Sequence, residues 1–229
     1  MLMLSNEIFS PKQKKFLEFL TQKSARGEKQ IPPLSILSRE LGMSVSTLRE
    51  QMEMARTIGL IEAHPRSGIE LQPYSFKPSV IKSLAYAVMS SKKYFYDYSD
   101  LRKNLEKAYF PKAVRSLSKE NIIQMQELVK IAKQKLSSNP IQIPHPEHRQ
   151  FHLFMYKNLG NDFVTSLLEA YWMMYESIGL DLYTDLAYLI KVWDYHERIV
   201  NLIAAGQFEQ SYEYLIEHME LIKDLWREI

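Results

Sequence analysis

Leu34-Ser35-Ile36-Leu37-Ser38-Arg39-Glu40-Leu41-Gly42-Met43-Ser44-Val45-Ser46-Thr47-Leu48-Arg49-Glu50 sets two short amphipathic segments on either side of one glycine. Leu34, Leu37 and Leu41 recur at helical spacing, so the first segment reads as a helix over 34–41 that stops at Gly42. Ser44 stands where a side chain caps the next helix, in which Leu48, Met52 and Ala55 face inward before Gly59 ends it. Apolar contacts on both segments, small Ser38 in the first and a tight turn between them are the demands of a helix-turn-helix.

Upstream, Ser10, Pro11 and Gln13 form a capping-box start for a helix that carries Phe16, Leu17 and Leu20 and ends near Gly27. Downstream, Leu60–Ala63 and Ile69–Leu71 read as short strands joined by the turn His64-Pro65-Arg66-Ser67-Gly68, which makes a wing. Gln72–Ser79 is polar, contains proline and reads as a linker. The expected division is a winged helix-turn-helix domain over 1–75 and an all-helical domain over 76–229.

Ile69 to Leu159 contains no glycine after Gly68, which favours long helices. Seven are drawn beyond the linker: 79–91, 97–115, 118–137, 146–159, 161–178, 182–205 and 207–227. Pro111 is expected to kink or divide the second, and Asn161 or Asp162 to cap the fifth. The expected fold is mainly α: a winged head followed by an all-α bundle of six or seven helices.

Among 229 residues there is no cysteine, which excludes disulfides, thiolate metal sites and cysteine nucleophiles and fits a reducing cytoplasm. Met1-Leu2-Met3-Leu4 is too short and uncharged for a signal peptide, and no apolar run reaches spanning length, so a cytoplasmic protein with no membrane partner is expected. The formal net charge is +2, and residues 1–75 hold ten Lys and Arg against eight Glu and no Asp, so that small excess sits in the head.

Ser44, Ser46 and Thr47 cluster at the start of the third helix, where backbone N–H groups and small hydroxyls approach phosphate. Arg49, one turn in, is placed to reach a guanine edge. Arg66, with Ser67 and Gly68, gives the wing a compact basic tip for a minor groove or phosphate. The competing readings are a packing module and solvated arginines.

These residues resemble the DNA-binding domain of the GntR family: Ile31-Pro32 through Leu41-Gly42-Met43-Ser44, Thr47-Leu48-Arg49-Glu50, Gly59-Leu60-Ile61 and Arg66-Ser67-Gly68. The resemblance covers about the first third of the chain. It departs at Val45, where the family often has arginine, and at Gln51, where it has alanine, so the operator is expected to differ from the commoner ones.

Four histidines in the second part fall on apolar stripes. His148 and His152 are one helical turn apart, a spacing with which two imidazoles grip one ion. His196 lies ten residues before Gly206 and His218 twelve after, about 15 and 18 Å from a hairpin turn at 1.5 Å per residue, so they are expected to face each other. Taken singly, each reads first as a core histidine bonded to a carbonyl; it is the four together that favour a metal.

This region is similar to the FadR C-terminal domain, through Leu101-Arg102, Leu105-Glu106, Phe151-His152, Gly160-Asn161, His196 and His218. The resemblance implies a divalent metal ion, zinc or nickel, held by His148, His152, His196 and His218, with His148 standing where metal-binding members have Asp. Four neutral imidazoles leave a divalent ion at its full +2 charge, which favours an anionic effector such as an organic acid. The resemblance places Arg102 and Asn161 at that effector. The alternative for Arg102 is a helix-surface pair with Glu106. Tyr171, Trp172, Tyr175 and Trp193 either line the cavity or belong to the core.

The leading reading is a homodimeric transcription regulator, a repressor by family habit, that grips a palindromic double-stranded DNA operator and answers to a small-molecule effector. It is not read as an enzyme. A metal-dependent hydrolase is the reading from another class, but Arg149 follows His148 where a HExxH helix has glutamate. A third is a metal-free regulator whose histidines bond the effector acid directly.

Overall fold

The computed structural model describes residues 8–66, 68–179 and 185–226, with side chains as far as Leu221. Two compact units divide between Ser79 and Val80. The first holds α1 (Pro11–Ala25), β1 (Gln30–Ile31), α2 (Leu34–Leu41), α3 (Val45–Thr57), β2 (Ile61–His64) and β3 (Gly68–Leu71). The second follows α4 (Lys77–Ser90) into α5 (Lys93–Arg115), α6 (Lys119–Leu136), α7 (His145–Met155), α8 (Asp162–Ser177), α9 (Leu186–Ala204) and α10 (Phe208–Trp226).

In the first unit the capping box of α1 is formed, and α2 ends on Gly42 in the left-handed region at φ 59°. Ser38 closes the turn: its Oγ donates to Met43 O at 2.6 Å while its carbonyl accepts from Met43 N at 3.2 Å. Phe16, Leu37, Leu48 and Ala55 are wholly buried, which joins α1, α2 and α3 around one apolar core. The wing is antiparallel, pairing Ile61 with Leu71 and His64 with Gly68.

Three details differ from the expectation. A third strand, β1, pairs with β3 at Gln30↔Glu70 and makes the sheet order β1-β3-β2; two residues carry no periodicity by which to see it. Helix α4 begins at Lys77, so part of the expected linker is its first turn, where Pro78 is tolerated because that N–H needs no helical partner. Pro111 does not divide α5, which runs unbroken past it with Phe110, Ala113 and Val114 buried in the bundle. The expected starts at 182 and end at 227 of the last two helices fall outside the described residues.

In the second unit α9 packs on α6 and α10, α7 on α6 and α8, and α5 on α7, α8 and α10. Gly206 turns α9 back into α10 at φ 74°. Lys133 of α6 pairs with both Asp194 and Glu197, and Lys135 with Glu147 at 2.7 Å, so α6 is tied to both α9 and α7. The inward faces of α7, α9 and α10 therefore meet beside α5.

Candidate metal centre and nucleic-acid interface

All four predicted histidines arrive at that meeting point. Helix α7 brings His148 and His152 one turn apart, with ring centres 5.2 Å from each other; α9 brings His196 and α10 His218. The Nε2 atoms of His152, His196 and His218 form a triangle with sides of 3.2, 3.1 and 3.2 Å. One ring nitrogen from each of the four lies within 4.8 Å of the other three.

His196 and His152 are 0% and 1% exposed, His218 is buried, and His148 is half-buried. Phe151 and Trp193 pack around His196 with ring centres at 4.5 and 4.7 Å, and Trp172 covers His148 and His152 at 4.8 and 5.1 Å. Burial, reinforced by Arg102 and, for three of the four, by neighbouring histidines, holds all four imidazoles well below their ordinary pKa. They are neutral, the form that ligates metal.

Protons alone do not satisfy this triangle. Each Nε2 is either an N–H or a lone pair. With three mutual contacts, at least two corners are alike, so one side always sets donor against donor or lone pair against lone pair. A cation shared by three lone pairs removes the conflict. An ion at 2.0–2.1 Å from its nitrogens spaces them by roughly 2.9 Å in an octahedron and 3.4 Å in a tetrahedron, and the observed sides lie between. His148 Nε2, His196 Nδ1 and His218 Nδ1 are also buried with no hydrogen-bond partner among the described residues. The residues present fit a divalent metal ion.

Arg102 and Glu106 are paired as their i,i+4 spacing allows, Arg102 Nε donating to Glu106 Oε1 at 2.8 Å, but inside the protein rather than on its surface. Glu106 is 0% and Arg102 6% exposed. The guanidinium lies over Tyr171 at 4.7 Å and Trp172 at 5.3 Å, and its Nη2 donates to His152 Nδ1 at 3.0 Å. Burial pushes the Glu106 carboxyl up while Arg102 pulls it down; burial works against the Arg102 charge, and Glu106 together with Tyr171 and Tyr156 more than restores it. Arg102 stands beside the cluster, and Glu106, which the sequence reading assigns only as its i,i+4 partner on the surface, stands there with it. A signal was there: Phe95, Arg102, Glu106, Phe110 and Ala113 share one helical stripe, and all are buried.

Asn161 sits elsewhere in its bonding. Its Oδ1 caps α8, accepting from Phe163 N at 3.2 Å and Val164 N at 3.3 Å, and no hydrogen bond ties it to the histidines.

On the head, Ser44 caps α3 by accepting from Thr47 N at 3.2 Å, and Ser44, Ser46 and Arg49 are exposed while Thr47 is half-buried. Arg49 faces the shallow groove between α3 and the wing, which Met52, Ile61 and Ile69 also line. Arg66 is exposed in the turn between β2 and β3, and Gly68 opens β3 at φ 85°. Ser67 lies outside the described residues.

The chain thus joins a winged helix-turn-helix unit to a helical bundle. Residues 97–221 match the FCD domain. Among solved structures, Streptococcus agalactiae GntR shares 17% identity over 93% of this chain and 99% of its own, at TM-score 0.69. E. coli McbR/YncC shares 18% over 99% of each, and Lar, which controls the expression of the Listeria monocytogenes agr system, 15% over 96% and 98%, both at TM-score 0.50. Likeness at these identities speaks for the fold. No curated protein matches the chain. The chain belongs to the FCD family and carries that domain behind a winged helix-turn-helix head, the make-up of a transcription regulator.

Proposed function

We propose that this regulator is a homodimeric repressor whose grip on a palindromic operator is set by a small organic acid bound at a metal-containing pocket in the helical domain. The observation that carries this reading is the triangle of neutral, buried Nε2 atoms, which a divalent ion satisfies and protons do not. His148, His152, His196 and His218 hold the ion. When bound, it supplies an electrophilic centre for a carboxylate, and its undiminished +2 charge favours that anion. Arg102, with a guanidinium beside His152, is the second anion-binding group. On the head, Arg49 reads a base edge, while Ser44, Ser46, Thr47 and the wing tip at Arg66, Ser67 and Gly68 hold the phosphates. Two heads then meet two half-sites. A cytoplasmic setting follows from that role.

The test uses DNA fragments that the tag-free protein retains from its own genome. Binding is measured with a chelator, with zinc, and with zinc plus a panel of small organic acids. A change of operator affinity between these conditions supports the reading. Identical affinity in all three overturns it.

A further inference from the structure

The Arg102–Glu106 pair meets the histidine cluster at one atom, His152 Nδ1, and its two members ask opposite things of that atom. A guanidinium only donates. With Arg102 Nη2 at 3.0 Å, Nδ1 accepts, and a neutral ring then carries its proton on Nε2, the nitrogen that faces His196 and His218. That tautomer has no Nε2 lone pair to offer a metal. Ligation through Nε2 puts the proton on Nδ1, where a guanidinium opposes it and a carboxylate accepts it. Glu106 Oε2 stands 3.6 Å from Nδ1, buried and without a hydrogen-bond partner among the described residues, while its sister oxygen is engaged by Arg102. The four imidazoles bring no negative charge of their own, so Glu106 also supplies an anion against the ligand set.

We propose that Glu106 is a positioning residue for the metal: it takes the Nδ1–H of His152, fixes the tautomer that ligates, and displaces Arg102 from that atom. This rests on the metal reading above. It gives the two members of one ion pair opposite effects on the metal. Arg102 competes with the ligating tautomer, and Glu106 stabilises it.

The experiment measures cobalt(II) affinity of the full chain by competition with a chelator. Glu106→Gln is expected to weaken binding by about tenfold to a hundredfold, the usual cost of losing such a partner. Arg102→Met is expected to bind as tightly as the parent or more so. A pair that merely supports the fold weakens binding alike when either member is lost. Should the lone buried arginine in Glu106→Gln prevent folding, the double variant Arg102→Met/Glu106→Gln removes both charges and carries the test. It stays weak under this proposal and returns to the parental affinity if the carboxylate only balances Arg102. In the zinc-loaded parent, histidine-labelled NMR should show a protected Nδ1–H on His152 that shifts when Glu106 is replaced. Parental affinity in Glu106→Gln or in the double variant, or equal weakening in the two single variants, overturns the inference. If the parent binds cobalt, His196→Ala does not, and Glu106→Gln matches the parent, only this inference falls. If the parent binds none, the metal reading falls and takes it along.

Discussion

The Nε2 atoms of His196 and His218 lie 3.1 Å apart, contributed by opposite arms of the hairpin that Gly206 turns. Neither ring has a partner for its Nδ1 among the described residues, so the polar contacts of both run through Nε2, to each other and to His152. Burying two polar rings this way is costly unless something else completes their bonding. The ion proposed for the cluster does that, and it makes the fold's stability depend on metal.

Removing one corner should therefore uncouple stability from metal. In the parent, zinc at a hundred times its dissociation constant adds about 2.7 kcal/mol, read as a rise in Tm. His196→Ala should lose bound metal and show little or no rise. Equal stoichiometry and an equal rise in the variant would contradict the site.

Acid should weaken the metal-free protein. The four histidines are held neutral, with pKa values well below the ordinary one, whereas an unfolded histidine takes up its proton near its ordinary pKa of about 6.5. Below that pH the unfolded chain binds more protons than the folded one, so stability is full above it and is lost as pH falls towards the folded values. Glu106, raised by burial, acts in the opposite sense, one group against four. Denaturant midpoints in chelator should drop between pH 7.5 and 5.5, and less so in His196→Ala. A flat profile would show that the rings are already charged or exposed.

Arg49→Ala should cost the head its discrimination, about 1–3 kcal/mol or roughly fivefold to 160-fold in operator affinity, with an unchanged Tm because Arg49 is exposed. Fluorescence anisotropy on the retained operator and on scrambled DNA reads both values. An unchanged footprint on the operator removes Arg49 from the reading surface.

Gly59 offers a test of the head's packing. A Cβ there would stand 2.5 Å from Pro78 Cγ at φ +80°, whereas at Gly27, with φ +70°, it would meet nothing within 4 Å. Gly27→Ala should cost the head about 1 kcal/mol through backbone strain alone. Gly59→Ala should cost about 1–3 kcal/mol more, because a ring on the backbone has little room to retreat. Thermal melts that show equal losses would mean that Pro78 does not pack there.

The hairpin register was legible because helix rise and one glycine suffice to place His196 opposite His218. The helix-turn-helix was legible for a similar reason: Leu37, Leu41, Gly42 and Leu48 act over short sequence distances. What stayed hidden depends on contacts between distant segments. The two-residue strand β1 exists only because β3 pairs with it, and Pro111 is tolerated because its neighbours are anchored in the bundle. Charge sends an i,i+4 pair such as Arg102 and Glu106 to the surface in a sequence reading, whereas His152 and two aromatic rings, from other helices, make their burial possible.

X-ray absorption of tag-free protein loaded with zinc or nickel tests the central claim most directly, because outer-shell scattering counts imidazole rings around the absorber. The account predicts four imidazole nitrogens in the first shell. A shell of oxygen with two or fewer imidazoles would contradict it.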